Sequence, residues 1–194
     1  MTLLEDRNLR AHDLWCQALQ LSDRDEQIQL LEKSVELDAY RPNVWLALAK
    51  CYLRNHRYDD CKRALDMGLL ADEHDKFLLQ EKLMLELLCG NHPGAIAAID
   101  RMPVPDNPRE RNELTRLKVS ILIDSSRYDE AIALLRKLTL RSHPSMKDLI
   151  SLGLLAEQTG DIPLATQAFT RLRNMNPKDK IYARRMEDFF LRHP

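Results

Sequence analysis

NVWLALAKCYLRNHRYDDCKRAL, residues 43–65, is the stretch that decides how this chain folds. Trp45, Leu48, Ala49 and Tyr52 recur at three- and four-residue steps, which places them on one face of a helix. A short polar break follows, and a second run from Tyr58 through Cys61 to Leu65 repeats the same periodicity. The segment therefore reads as two antiparallel helices joined by a tight turn.

The same pattern returns along the chain. A second copy runs from Leu149 through Leu152, Gly153, Ala156, Gly160 and Asp161 to Ala165, Phe169, Leu172 and Pro177. A third covers Ser126, Tyr128, Ala131, Leu135 and Leu138, and weaker copies run from Asn8 through Trp15 and Leu31 and from Lys76 through Gly90 and Ala95. Their first positions, 8, 42, 76, 112 and 146, are separated by 34, 34, 36 and 34 residues. The longer step falls at Pro103–Pro108, where the prolines favour an extended loop. This order of Trp, Leu, small residue, Tyr, turn, Ala, aromatic and Pro resembles the tetratricopeptide repeat (TPR), with its period of about 34 residues. Cys61 stands where Ala is usual, and Glu86 stands where the family has an aromatic.

The resemblance implies an all-α, right-handed α-solenoid of about five TPR helix pairs with a C-terminal capping helix. The chain is expected to form a single domain over 1–194, with repeats near 8–41, 42–75, 76–111, 112–145 and 146–179 and the cap at 180–192. Helices are expected near 7–20, 24–38, 42–54, 58–70, 75–89, 92–102, 108–124, 128–141, 145–159 and 162–175. Ala49, Ala95, Ala131, Gly153 and Ala165 are small enough to let paired helices approach. Trp45, Tyr52, Tyr58, Tyr128 and Phe169 are expected to fill space between repeats. In the tail, Tyr182, Met186, Phe189 and Phe190 form an apolar face opposite Arg184, Arg185 and Asp188, which suits a cap over the last repeat. A partner-binding helix is the alternative.

Composition agrees with an interaction module. Net charge is −1, apolar residues make up 44% of the 194, and glycines number only 5. Bulk electrostatics favours neither nucleic acid nor an anionic membrane. The opening residues lack a cationic flank and an apolar run, so no signal peptide is expected. No stretch suits membrane insertion, and a cytoplasmic location is the expectation. The N-terminal part is acidic and the C-terminal part basic, which could steer two copies head to tail into a homo-oligomer.

The chain carries no recognisable chemistry. Cys16, Cys51, Cys61 and Cys89 contain no CxxC pair and read as small buried apolar residues. The six histidines include no HExxH pair, and the phosphate-loop, dinucleotide and GxSxG signatures are absent. Carboxylates fall on polar helix faces beside Lys or Arg, as Glu32 does beside Lys33 and Glu130 near Lys137. No catalytic residue, metal or cofactor is expected, and the protein is read as not an enzyme.

In TPR proteins the first helices of successive repeats line a concave groove. Carried onto this register, the resemblance implies a groove built from Leu46, Lys50, Leu53 and Arg54 of the second repeat and Phe77, Gln80, Met84, Leu87 and Leu88 of the third. Arg116, Ser120 and Ile123 follow from the fourth repeat, and Ile150 and Leu154 from the fifth. Arg116 reads as a rim charge. His12 and Cys16 hold the places where a carboxylate clamp has Lys and Asn, so an acidic chaperone tail is not the expected ligand. Leu79 and Leu83 are assigned to packing inside the third repeat. Phe77, Met84, Leu87 and Leu88 then leave that helix apolar nearly all round: either another chain covers it or the register shifts there. The implied function is a scaffold or adaptor holding a peptide or helix of a partner protein. A chaperone for a secretion or appendage subunit and a regulatory subunit of an enzyme are the alternatives.

Overall fold

The computed structural model describes residues 3–140, 144–175 and 180–193, apart from the side chains of residues 3, 4 and 180–185. Pro177, His143 and the side chains of Tyr182, Arg184 and Arg185 lie outside that description. The described residues form eleven α-helices and no strand. The chain separates into two compact units, Met1–Val104 and Pro105–Pro194. The first holds α1 (Leu3–Ala18), α2 (Arg24–Leu37), α3 (Pro42–Arg54), α4 (Tyr58–Ala71), α5 (Lys76–Leu88) and α6 (His92–Arg101). The second holds α7 (Pro108–Asp124), α8 (Tyr128–Thr139), α9 (Met146–Thr159), α10 (Ile162–Met175) and α11 (Lys180–Arg192). Within each unit every helix packs on its neighbour in the chain, and α3 also packs on α5. This is the all-α, helix-on-helix architecture of a helical solenoid.

Local chemistry sets the helix ends. Asp23, Asp75, Asn91 and Asn107 accept hydrogen bonds from backbone N–H groups in the first turns of α2, α5, α6 and α7, satisfying donors that have no partner inside the helix. Pro42 and Pro108 open α3 and α7, where a missing N–H costs nothing. The turns inside four helix pairs share one device. His56, Gly90, Ser126 and Gly160 all take positive φ, between 57° and 81°. The residue after each donates its N–H back to the carbonyl five positions earlier: Arg57 to Tyr52, Asn91 to Glu86, Arg127 to Leu122 and Asp161 to Ala156, at 2.8–2.9 Å. These are Schellman-type closures. Their spacings of 34, 36 and 34 residues match the repeat read from the sequence.

The cores follow from the repeat. In the first unit Leu31, Val44, Leu48, Ala49, Cys61, Leu65, Leu78 and Leu79 are buried together. In the second, Leu122, Ala131, Leu135, Leu149, Ala165 and Phe169 are buried. Gly153 shows why a small residue is needed: a Cβ there would lie 2.6 Å from the Phe169 ring. Phe189 and Met186 of α11 are buried, and Phe189 stacks on Phe169 of α10 with ring centroids 4.8 Å apart.

Three expectations need correction. Tyr58 does not fill space between repeats: it is exposed and its hydroxyl meets His56 Nδ1 at 3.1 Å, because it stands at the first position of α4, beside the turn. Cys89 is exposed at the C-terminal cap of α5, whereas Cys51 and Cys61 are buried. Carboxylates are not confined to polar faces, since Glu86 and Asp148 are both buried.

Candidate groove and its supporting ion pairs

The odd-numbered helices carry the residues assigned to the groove. On α5 a stripe at 77, 84 and 88 faces outward: Phe77 is 61% exposed, Met84 52% and Leu88 59%. These positions differ by seven and four residues, so they stack along one side of the helix. Gln80 beside them is also exposed, and Leu87 is half-buried. The opposite side supplies Leu78, Leu79, Leu83 and Leu85 to the core. The neighbouring α3 presents Leu46, Lys50 and Leu53, all half-buried, and an exposed Arg54. Leu46 and Leu53 lean on the core cluster, and Lys50 Nζ reaches Glu81 of α5 at 3.4 Å. On α1, Leu9 and Leu19 are exposed. His12 lies 3.6 Å from Cys16 Sγ, and its Nδ1 lies 3.2 Å from the Arg41 guanidinium, so that pair is engaged within the first unit.

In the second unit, Ser120 on α7 is exposed, and Ile123 on α7 and Ile150 and Leu154 on α9 are half-buried. Arg116 has a different task from the rim charge expected of it. Its Nε and Nη2 donate to the two carboxylate oxygens of Asp148 at 2.7 and 2.9 Å. The Asp148 side chain keeps only 5% of its surface exposed and that of Arg116 38%. The fork of the guanidinium matches the carboxylate with two parallel bonds, and the pair ties α7 to α9. Asp148 raises the Arg116 pKa above the usual guanidinium value.

Sequence reasoning also missed the partner of Glu86. Its carboxylate accepts a hydrogen bond from Asn91 Nδ2 at 2.6 Å, so the polar residue in the aromatic's place is satisfied across the turn. A signal was available in the Asn91 that caps the next helix. Similarly, Tyr52 donates to Glu32 at 2.5 Å, and burial followed by that bond drives the phenol pKa well above its ordinary value. Glu32 is therefore tied to Tyr52, and Glu130 to Arg127, in place of the lysines expected to be nearby. Burial pushes the Cys61 thiol up to about 11 and raises that of Cys51. Among the described residues, no three His, Cys, Asp or Glu side chains are grouped so as to hold a metal ion. No described helix is long and apolar enough to cross a membrane.

Residues 18–83 match the tetratricopeptide repeat family model, so that segment carries the sequence signature of the repeat. Its fold is similar to that of YrrB, described as a TPR protein with an unusual peptide-binding site, with a TM-score of 0.61 at 15% identity over 95% of both chains. It is also similar to MamA, with a TM-score of 0.57 at 17% identity over 92% of this chain and 97% of that one. A tetratricopeptide repeat protein from Parabacteroides merdae gives a TM-score of 0.56 at 15% identity, over 97% of this chain and 72% of that one. At such identities the likeness is one of fold. No curated protein matches the chain in sequence.

Proposed function

We propose that this protein is a non-catalytic, cytoplasmic scaffold that holds a peptide or helix of a partner protein against α3 and α5 of the first unit. The observation that carries the reading is the exposed stripe Phe77, Met84 and Leu88 on α5, a helix that packs on α3. Three large apolar side chains aligned on one helix face form a patch of the kind that marks an interaction surface. Covering each fully is worth roughly 1.5–3 kcal/mol, of which the half already buried is spent in the fold. The chemistry suits an apolar helix or extended segment, which includes the exported passenger of a secretion or appendage chaperone. The expected partners are proteins rather than nucleic acid.

A photo-crosslinking residue at Met84, expressed in the protein's own cells, tests the reading. One partner is expected to crosslink from position 84 and not from Leu70 on α4, which is even more open to solvent. Met84→Glu is expected to weaken binding of that partner by about 2–3 kcal/mol, because a carboxylate in an apolar contact loses water without gaining a counter-ion. Leu83→Glu, on the buried side of α5, is expected to unfold the protein. Equal crosslinking from both positions, or melting of the Met84 variant like the Leu83 variant, refutes the groove.

A further inference from the structure

On the side of the first unit formed by α2 and α4 lies a cavity of about 300 Å³, whose walls include Trp45, Tyr52, Met67, the acids Glu32, Glu36 and Asp60, and one cation, Arg63, which is paired with Asp60. It is separate from the α5 stripe. Met67 and Glu36 are exposed, and Trp45 is half-buried with its indole N–H spent on the Ala39 carbonyl at 2.8 Å. The ring is thereby fixed, with apolar surface left toward the cavity. Asp60 is already engaged by Arg57 and Arg63, and Glu32 by Tyr52. The Glu36 carboxylate has no ion-pair partner among the described residues, although the Arg7 guanidinium donates to the Glu36 main-chain carbonyl at 2.9 Å. The site already tolerates a cation on an aromatic face, since the Arg57 guanidinium sits 4.6 Å from the centre of the Tyr52 ring.

The second unit supplies an internal comparison. Its cavity, of about 350 Å³, is lined at the same repeat positions, 104 residues further on. Leu149 replaces Trp45, Arg136 replaces Glu32, Leu140 replaces Glu36, Leu164 replaces Asp60 and Arg171 replaces Met67. The backbone template is shared, but the acids and the aromatic belong to the first unit alone. The repeat by itself therefore does not require them.

We propose that the α2–α4 cleft is a second binding site, which takes an arginine flanked by apolar residues from a partner polypeptide. The guanidinium is the cation that suits the site. It is planar, weakly hydrated and able to lie on an indole face while its N–H groups reach carboxylates. Glu36 and the remaining lone pairs of Glu32 supply the acceptors, and Met67 with Val35 receives the apolar neighbour.

The probe is the hexapeptide acetyl-Gly-Leu-Arg-Leu-Arg-Gly-amide, with a twin carrying glutamate in place of arginine. The two tryptophans give two indole N–H resonances, and Trp45→Phe assigns them. The basic peptide is expected to move the Trp45 signal saturably and leave Trp15 in place, and the acidic twin to do neither. Glu36→Lys is expected to weaken binding at least tenfold and Glu36→Gln severalfold, both with unchanged melting. Met84→Glu, in the α5 stripe, is expected to leave it unaltered. Asp124→Lys makes the same change of net charge on α7 of the second unit, and is expected to alter affinity less than twofold. An unmoved Trp45 signal, equal response to the acidic twin, or equal loss in the Glu36 and Asp124 lysine variants overturns the proposal.

Discussion

Removing the Arg116 side chain leaves the Asp148 carboxylate buried with neither of its two charge-assisted hydrogen bonds. Breaking a fully buried pair costs about 3–5 kcal/mol, because the surviving charge is not solvated. Two features reduce that figure. Arg116 already holds 38% of its side chain in water, and Asp148 stands in the first turn of α9, where the helix dipole favours an anion by roughly 0.3–1 kcal/mol. Arg116→Ala is therefore expected to destabilise the second unit by about 2–3 kcal/mol. Both tryptophans lie in the first unit, so their fluorescence does not report this loss directly. Amide hydrogen exchange does: protected amides of α7 and α9 are expected to exchange about 30- to 150-fold faster, the same free energy read as an opening equilibrium. Asp148→Asn in the Arg116→Ala background removes the stranded charge and is expected to restore more than half of the protection. If the single variant changes exchange by less than about twofold, or if the two substitutions are additive, the pair is a surface contact and the reasoning fails.

Gly153→Ala is expected to cost about 1–2 kcal/mol in a denaturant titration despite alanine's better helix propensity, because the new methyl meets the buried Phe169 ring. Ser126→Gly is expected to gain about 0.5–1 kcal/mol by relieving a left-handed backbone, and Gly160→Ala to lose about 1 kcal/mol for the converse reason. No atom lies within 4 Å of a Cβ placed at Gly160, so a larger loss in thermal melting would assign that turn another role. In native protein at pH 8, iodoacetamide is expected to label Cys89 first, with Cys51 and Cys61 resisting until the protein unfolds. At that pH a thiol whose pKa is about 11 is almost wholly protonated. Mass spectrometry of the digested protein gives the order, and early labelling of Cys61 would show that the first unit opens locally.

The helices were legible because the repeat states each of them several times. Residues 43–65 define one pair clearly, and weak copies such as the one from Lys76 inherit its phase. The outward stripe on α5 was legible for the same reason, since assigning Leu79 and Leu83 to the core leaves Phe77, Met84 and Leu88 on the other side. Polar partnerships were not. Asp148 and Arg116 are 32 residues apart, and a repeat with degenerate copies carries no covarying signal for a single ion pair. Glu86 looked like a misfit because a periodic reading judges a position by its type. Its bond to Asn91 is a matter of local geometry. Cys89 and Tyr58 were misplaced by a further limit: at the end of a helix one residue of phase separates core from solvent.

The turns at His56, Gly90, Ser126 and Gly160 each close their helix with the same main-chain hydrogen bond, whatever side chains stand beside it. Their geometry is therefore nearly indifferent to the side chains on either outer face, and substitutions there need not disturb the joint. Under selection, the contact surfaces of such a chain can drift to new ligands while the hinges between them stay fixed. The contrast between Glu32 and Arg136, or Glu36 and Leu140, at matching places in the two units is what such uncoupled drift leaves behind: one mould, recoated independently in each copy.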